Sequence, residues 1–223
     1  MTSYLEVFKM DQQKSKKVAI IVAHPDDETL WAGGTILSHP SWQFFIVCLC
    51  RKNDKDRAPK FFNALSVLGA RGIMGDLNDG PEQTPINENE VEQAILQLIP
   101  DTDFNLIITH HPKGEYTRHL RHEEISKAVI NMWAKRMIST NELWTFAYED
   151  GNKAYYPKPL KSANSYYELS KNIWDLKYSI ITNTYGFEES SWEAKTTPKG
   201  EAFWHFSNPI NAQQWLTNGR IIL

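Results

Sequence analysis

The sequence predicts an α/β protein with a mainly parallel central sheet between two layers of helices. Apolar runs of strand length alternate with segments of helical periodicity, and residues 18–23 are apolar without interruption, as in a strand buried on both faces. This order of elements is typical of a three-layer α/β/α, Rossmann-like fold. The 223 residues contain no Gly/Ser/Pro-rich linker and no repeat, which indicates one domain over residues 1–223.

The predicted elements cover the first two-thirds of the chain. We expect strands near residues 17–23, 43–50, 71–75, 104–109 and 143–148, and helices near residues 29–38, 57–69, 88–99 and 122–137. Glu123-Glu124 favour a helix start, because acidic side chains in a first turn interact favourably with the helix dipole. The pair Gly33-Gly34 lacks the spacing of a dinucleotide-binding motif, so we expect no phosphate cradle there.

Ligand-type and acid–base residues follow the first predicted strand directly. His24, Asp26 and Asp27 would emerge at the carboxyl edge of the sheet, where open α/β folds bind their ligands. His24 and Asp27 offer an imidazole nitrogen and a carboxylate oxygen to a metal ion, while Asp26 cannot easily point the same way and is a candidate base. The alternative is that the acidic residues only cap the following helix.

A second histidine-rich segment follows the predicted strand near residues 104–109. Five of the seven histidines lie in the two segments that follow these strands. His119 and His122 are three residues apart at the start of a predicted helix, so they share a face; one could bind metal while the other faces a substrate. The alternative is a pair of surface histidines beside Arg118 and Arg121.

These motifs resemble the PIG-L/LmbE-like family of zinc-dependent N-acetylglucosaminyl deacetylases. Residues 23–28 spell the complete family hallmark Ala-His-Pro-Asp-Asp-Glu, and residues 119–122 match the family's His-x-x-His motif. The resemblance implies that His24, Asp27 and His122 are zinc ligands. It implies that Asp26 is the general base and that His119 stabilises the oxyanion or acts as an acid. The resemblance is clearest over residues 17–135.

Other positions match the family less specifically or differ from its usual residues. Arg57 and Asp79 match positions that hold the sugar in the family, although the patterns around them are short. Leu120 and Arg121 replace the usual Pro-Asp between the two histidines, and the ligand spacing is kept. Lys60 stands where the family often has Glu, which alters the local charge.

The resemblance implies a hydrolase that removes an acetyl group from an N-acetylated sugar or glycoconjugate, which is a small-molecule partner. Two alternatives stay open: a deacylase of a non-sugar amide, and a catalytically silent relative that binds carbohydrate or metal. In some relatives a tyrosine stands two residues before the first histidine of the second motif. Here Tyr116 stands three residues before His119, so a catalytic role for Tyr116 is open.

Charge and hydropathy exclude several other classes of protein. The formal net charge of −3 provides no basic field for nucleic acid. The N-terminal residues lack the apolar segment of a signal peptide, and no run approaches membrane-spanning length, so we expect a cytoplasmic protein without a membrane partner.

The two cysteines and two remaining histidines are expected to be structural. Cys48 and Cys50 lie two apart on a predicted buried strand, where a disulfide is unfavourable, and we interpret them as reduced thiols that share one strand face. The alternative is that they are metal ligands or redox groups at the site edge. His39 and His205 are expected to contribute to packing.

The last third of the chain is rich in aromatic residues. These could cover a sugar site, pack against the sheet or form the interface of a homo-oligomer. The spacing of Tyr178 and Tyr185 with Ile181 fits a helix face. The aromatic residues are Tyr155, Tyr156, Tyr166, Tyr167, Trp174, Tyr178, Tyr185, Phe187, Trp192, Phe203, Trp204 and Phe206.

Overall fold

The computed structural model describes residues 15–218 and confirms the alternation of strands and helices. The strands are β1 (Lys17–Val22), β2 (Gln43–Cys48), β3 (Arg71–Met74), β4 (Asp103–Thr109), β5 (Ser139–Phe146), β6 (Tyr148–Glu149), β7 (Lys158–Pro159), β8 (Ser165–Glu168) and β9 (Gly200–Phe206). The helices are α1 (Asp27–Ser38), α2 (Arg57–Leu68), α3 (Glu88–Leu98), α4 (Leu120–Ala134), α5 (Lys171–Ser179), α6 (Trp192–Thr196) and α7 (Pro209–Asn218). None of the described helices is long and apolar enough to span a membrane.

The main sheet has seven strands in the order β3-β2-β1-β4-β5-β9-β8. Strands β1 to β5 pair in parallel, whereas β9 pairs antiparallel with β5 and with β8. The chain builds outward from β1 to β3 and then returns to place β4 on the other side of β1. Ligands bind at such a switch point in open α/β sheets, and the residues that follow β1 and β4 meet there.

Alternate residues of β1 divide between two cores. Val18, Ile20 and Val22 pack into the layer with α1 and α2, while Ala19 and Ile21 pack into the layer with α3, α4 and α7. All five are buried, which explains why the run is apolar without alternation. The three-layer α/β/α prediction is therefore confirmed.

Several element bounds differ from the prediction for local reasons. Helix α1 begins two residues early, at Asp27, because its acidic residues form the first turn instead of preceding it. Strand β5 begins at Ser139, since it pairs with β4 along its whole length, and α4 ends at Ala134 before Arg136, whose φ of 60° is not helical. The predicted strands and helices end near residue 148, so they do not include β7, β8, β9, α5, α6 or α7.

The two cysteines are buried free thiols, as predicted, but they do not share a face. Strand β2 ends at Cys48, so Cys50 lies beyond the regular alternation and packs in the opposite core layer. Burial raises the pKa of both thiols, and neither joins a cluster of possible metal ligands among the described residues.

Most aromatic residues of the last third serve packing. Tyr185 is buried and directly follows α5 and the π-helical turn Ile180–Thr184. The predicted helix face of Tyr178, Ile181 and Tyr185 therefore spans the end of α5 and this wider turn. Phe203 and Phe206 lie in the two core layers. His205 stacks on Trp144 with ring centroids 4.2 Å apart, in agreement with a structural role.

A buried carboxylate joins β9 to α1. Glu201 accepts hydrogen bonds from the backbone N–H groups of Gly34 and Thr35, each at 2.7 Å, and pairs with Lys177 Nζ at 2.7 Å. All of these side chains are fully buried, so the ion pair satisfies charges that would otherwise be very costly inside the protein. A Cβ on Gly34 would lie 2.3 Å from Leu169 and 2.9 Å from Glu201, which requires glycine at this contact.

Candidate metal and active site

Two strand ends and two helix starts position the candidate ligands. His24 follows β1 and Asp27 opens α1, so both lie at the switch point of the sheet. His119 precedes α4 and His122 lies in its first turn, after the loop that leaves β4. The structure therefore brings together residues that are about a hundred positions apart in the chain.

Three donor atoms form a nearly equilateral triangle. His24 Nδ1 lies 3.3 Å from Asp27 Oδ2 and 3.2 Å from His122 Nε2, and the last two atoms are 3.4 Å apart. Ligands at about 2.0–2.1 Å from a tetrahedral zinc ion are separated by roughly 3.3–3.4 Å. The chemistry and the spacing of these three donors thus fit a small divalent cation with one coordination position left over.

Carboxylates lie behind both histidines. His122 Nδ1 donates to Glu115 Oε2 at 2.6 Å, which leaves Nε2 free to bind a cation. His24 Nε2 lies 3.2 Å from Asp79 Oδ1 in an ion pair that lacks the geometry of a hydrogen bond. The hydrogen-bonded pair of Glu115 and His122 is typical of metal sites, because such a pair fixes the tautomer and raises ligand basicity.

Asp27 is held in place by its neighbours in the turn. Its Oδ2 accepts a hydrogen bond from the backbone N–H of His24 at 2.8 Å, and its Oδ1 accepts one from the Trp31 indole at 3.0 Å. The side chain is almost completely buried, yet nearby histidines hold the pKa of its carboxyl well below the usual range against the effect of burial. Asp27 is thus an ionised carboxylate held in a fixed orientation, as a metal ligand would require.

The charge balance of the site also favours a cation. Burial alone would lower the pKa of His24, but the carboxylates of Asp27 and Asp79 outweigh it and raise the pKa to about 9. The acidic groups therefore attract positive charge strongly enough to protonate a buried imidazole. A bound metal ion would supply that charge instead.

Two other groups of possible ligand atoms overlap with this triangle: His24, His119 and His122 form one, and Asp27, His110 and His122 form the other. His110 Nε2, however, accepts a hydrogen bond from the backbone N–H of Ala23 at 2.9 Å, and His110 Nδ1 is bonded to Glu115 at 3.0 Å. Both ring nitrogens are used within the protein. His24, whose Nδ1 points into the triangle, is the better third ligand.

Asp26 lies beside the triangle in a conformation unusual for a non-glycine residue. Its φ of 112° places it in the left-handed half of the backbone map, where strained functional residues are often found. Burial and the charge of Asp27 raise the pKa of Asp26 well above its usual range, while Arg57, whose Nη1 lies 3.4 Å from Asp26 Oδ2, partly opposes this effect. A carboxylate of raised pKa is a stronger proton acceptor.

His119 stands over the same site as a neutral ring. Its centroid is 4.5 Å from that of His24 and 4.7 Å from that of His122. Burial and the charges of these two neighbours lower its pKa to about 3, which favours hydrogen-bond donation over a role as an acid. Within residues 15–218, its buried Nδ1 has no hydrogen-bond partner.

The two predicted substrate-binding residues occupy different positions. Arg57 lines the cleft directly and also stacks on Phe187, 4.4 Å from the ring centroid. Asp79 is buried below it and accepts from Arg51 Nη2 at 2.7 Å and from Gln83 Nε2 at 3.0 Å. Asp79 therefore reaches the cleft through the guanidinium of Arg51.

These residues border a cleft of about 230 Å³, which we call the inner cleft. It is lined by His24, Pro25, Asp26, Asp27, Leu30, Arg51, Arg57, Tyr116, His119, Trp192 and Glu193. All seven site residues predicted from the sequence lie at this cleft or in contact with its walls.

Sequence reasoning missed Glu115 and Arg51, and it named Trp192 only as one of twelve aromatic residues that could cover a sugar site. Glu115 is fully buried and accepts hydrogen bonds from two histidines. Its position in a Gly-Glu-Tyr segment carries no sequence signal for this role. Arg51 follows a strand end, as His24 does, and that position was the available signal. Trp192 is far from every motif in the chain, and only the fold brings it to the site.

Residues 19–133 match the sequence pattern of the PIG-L family, which is described as GlcNAc-PI de-N-acetylase. The matched region is more than half of the chain and contains every predicted site residue. This chain belongs to the PIG-L family. The resemblance of its motifs to a deacetylase family is thereby confirmed.

Relatives extend the likeness over most of the chain. An uncharacterized protein of Acanthamoeba polyphaga mimivirus is 22% identical over 191 residues, which cover 78% of this chain and 81% of the viral protein. The N,N'-diacetylchitobiose deacetylase of Pyrococcus horikoshii has a TM-score of 0.61 at 19% identity, over 91% of this chain and 89% of that one. The 4-carboxy-2-hydroxymuconate hydratase GalB of Pseudomonas putida has a TM-score of 0.59 at 16% identity, over 85% of this chain and 95% of that one. Because a deacetylase and a hydratase share the fold, the fold alone does not determine the reaction.

Proposed function

We propose that this PIG-L family member is a zinc-dependent N-deacetylase that releases acetate from an N-acetylated amino sugar of the N-acetylglucosamine type, or from its conjugate. The observation that carries the proposal is the triangle of His24, Asp27 and His122 donor atoms beside the carboxylate of Asp26. Three protein ligands are the number found in catalytic zinc sites, which keep a fourth position open. A bound zinc ion would acidify a water molecule and polarise the acetyl carbonyl.

The protein's own groups would move the protons. Asp26 takes a proton from the water that attacks the carbonyl carbon, and the raised pKa of its carboxyl suits this task. The attack converts the carbonyl oxygen into an oxyanion, to which the neutral ring of His119 donates its N–H. Asp26 then passes the proton to the amide nitrogen as the C–N bond breaks. The products are a free amine and acetate.

Arg57 and Asp79 would hold the sugar ring over the ligand triangle. Arg57 lines the inner cleft and has donors beyond the one directed at Asp26. Asp79 acts through Arg51, whose guanidinium it fixes with two hydrogen bonds, of 3.1 Å and 2.7 Å. Together these groups offer hydrogen bonds to sugar hydroxyls in the inner cleft.

A silent relative that only binds carbohydrate or metal would have no need of a strained, buried carboxylate at Asp26. A deacylase of a non-sugar amide would use the same groups, since the acetyl amide is the only part of the substrate that the mechanism consumes. The identity of the amine is therefore the point to test by experiment.

The test is an acetate-release screen on metal-stripped protein with zinc or another divalent metal restored. The substrates are N-acetylhexosamines, nucleotide sugars and small amides. We expect release from acetylated amino sugars with metal and none without it. Release from small amides alone would favour the non-sugar deacylase, and release from no substrate would favour the binding protein.

Two variants assign the roles within the site. Asp26→Asn should retain metal but lose turnover by roughly 10²–10⁴-fold, because it removes the base and keeps the ligands. His122→Ala should lose metal and activity together, while His39→Ala, a histidine that stacks on Trp42 outside the site, should keep both. Full activity in metal-free His122→Ala protein would refute the mechanism.

A further inference from the structure

One buried cation near the site has no part in the proposed reaction. Arg121 stands directly before the candidate ligand His122, at a position where the family usually has Asp, and its side chain is fully buried. A guanidinium inside a protein is costly unless acceptors satisfy its N–H groups. The acceptors around Arg121 therefore indicate its role.

Two of these acceptors belong to the loop between β3 and α3. Arg121 Nε donates to the backbone carbonyl of Asn78 at 2.5 Å, and Nη2 donates to that of Thr84 at 2.7 Å. Nη1 pairs with Glu124, whose other carboxylate oxygen accepts from Ile86 N–H at 2.8 Å. Helix α4 thus binds three backbone groups of this loop through one ion pair.

We call the segment of residues 75–87 the Asp79 loop. The N–H groups of Gly75 and Leu77 donate to carbonyls at and just after the end of β2, at 2.8 Å each, which extends the sheet pairing into the loop. Within the described part of the chain, every backbone hydrogen bond from residues 78–86 to another element goes to Arg121 or Glu124. These two side chains are therefore the backbone anchors of the loop beyond its first residues.

The backbone groups that Arg121 binds flank Asp79 on both sides. Asp79 accepts from Arg51 Nη2 at 2.7 Å and from Gln83 Nε2 at 3.0 Å. Its Oδ1 lies 3.2 Å from His24 Nε2. Arg51 lines the inner cleft, so a shift of the Asp79 loop would release a guanidinium that faces the sugar.

Helix α4 carries the candidate ligand His122 next to Arg121. Consecutive residues of an α-helix point about 100° apart, so His122 reaches the ligand triangle while Arg121 reaches the Asp79 loop. The first turn of one helix therefore positions both a candidate metal ligand and the loop beside the cleft.

We propose that Arg121 is a positioning residue that holds the Asp79 loop in register with α4 and thereby places Asp79 and Arg51 to bind the sugar in the inner cleft. The proposal rests on the proposed function, in which Asp79 acts on the sugar through Arg51. The planar fork of a guanidinium can bind two carbonyls of one loop and a carboxylate at the same time. Methionine has no N–H donor, and the single ammonium of lysine has no fork.

The experiment combines kinetics with a measurement on the loop itself. The proteins are wild type, Arg121→Met, Arg121→Lys, Arg51→Ala and the double variant of Arg121→Met with Arg51→Ala. For the zinc-loaded proteins, kcat and KM are measured with N-acetylglucosamine, or with the acetylated sugar of highest kcat/KM in the acetate-release screen. Zinc affinity is measured by chelator competition, and amide hydrogen exchange is measured in residues 78–86.

Arg118→Met is the matched control. Arg118 pairs with Glu123 on the same helix, as Arg121 pairs with Glu124, but its side chain is 66% exposed. It makes no hydrogen bond to the Asp79 loop within residues 15–218. We expect this variant to match wild type in KM, kcat, zinc affinity and hydrogen exchange.

We expect Arg121→Met to raise KM by about fivefold or more and to change kcat and zinc affinity by less than about threefold, because the ligand triangle and Asp26 keep their places. Amide exchange in residues 78–86 should become faster by about tenfold or more. Arg121→Lys should raise KM less than Arg121→Met does. The double variant should have the KM of Arg51→Ala to within about twofold, because both changes remove the same contact with the sugar.

Three results would overturn the positioning role and leave the deacetylase proposal standing. These are an unchanged KM in Arg121→Met, increases in KM that multiply in the double variant, and a loss of zinc affinity of about tenfold, which would place the effect of Arg121 on His122. If Arg121→Met does not fold, Arg121→Lys decides, since it keeps the buried charge beside Glu124. A raised KM with faster exchange in that variant supports the role, and wild-type values contradict it.

Hydrogen exchange separates the two proposals. If wild type releases no acetate from any acetylated sugar, the proposed function fails, and with it the effect on sugar binding. Faster exchange of residues 78–86 in Arg121→Met, but not in Arg118→Met, would still support Arg121 as the anchor of the Asp79 loop. Equal exchange in the two variants would overturn that as well.

Discussion

Replacement of Glu115 by Gln tests what orients the candidate metal ligands. The Glu115 carboxylate accepts three hydrogen bonds: from His122 Nδ1 at 2.6 Å, from His110 Nδ1 at 3.0 Å and from His111 N–H at 2.8 Å. Glutamine has one acceptor oxygen and turns an NH₂ group toward at least one of these donors. The tautomer of His122 that leaves Nε2 free for metal is then no longer favoured.

The expected effect is a weaker metal site. Removal of the carboxylate behind a metal-binding histidine typically costs 10–100-fold in affinity, which is about 1.4–2.7 kcal/mol. A competition titration with a chromophoric zinc chelator measures this affinity directly. Thermal unfolding of the metal-free proteins shows separately whether Glu115→Gln changes the fold.

Glu124→Gln is the control for charge. Glu124 is a carboxylate on α4 that binds Ile86 N–H at 2.8 Å and pairs with Arg121, and it does not contact a histidine. Its replacement removes the same charge from the same region, and we expect a change in affinity of less than about threefold. Equal losses in the two variants, or no loss in Glu115→Gln, would refute the orienting role of Glu115.

Two further predictions concern stability. Gly34→Ala should lower the free energy of unfolding in urea by roughly 1–3 kcal/mol, because its Cβ would lie 2.3 Å from Leu169. Gly33→Ala, where the nearest atoms are 3.4 Å away, should instead raise it by up to about 1 kcal/mol, and similar losses in both would contradict the packing argument. Burial lowers the pKa of His111 to about 4 in the folded protein, compared with about 6.5 in the unfolded chain. Between about pH 6.5 and pH 4, His111 is therefore protonated in the unfolded chain and neutral in the folded protein. Stability should therefore fall with acidification across that window by at most about 1.4 kcal/mol per pH unit, and His111→Asn, which keeps an acceptor for Lys113 N–H, should flatten the slope in a pH series of urea melts.

The sequence predicted the parts of the molecule that local pattern determines. Strand β1 is buried on both faces, so its residues are apolar in an unbroken run, and the ligand-type residues stand where that run stops. His119 and His122 lie at a helix start, where a spacing of three places side chains on one face. The mainly parallel sheet and the position of the site at its carboxyl edge follow from these local signals together with the rules for α/β folds.

The rest depends on contacts between residues far apart in the chain. Glu201 meets Gly34 across 167 positions, and no periodicity of either segment encodes that meeting. The antiparallel pairing of β9 with β5 could likewise not be predicted from the sequence. Short segments rich in aromatic residues have no periodicity that distinguishes a strand from a helix or a loop. Trp192 likewise lines the inner cleft through contacts with residues far away in the chain, which no local pattern predicts.

The hydrogen bonds between Glu201 and α1 make the first helix depend on a strand near the other end of the chain. Asp27 lies at the start of α1, inside the region that the family pattern covers, while the carboxylate that holds the middle of that helix comes from β9, outside it. We therefore expect a chain cut after residue 133 to lose the fixed position of α1, and with it the position of the candidate metal ligand Asp27, although every predicted ligand lies before the cut.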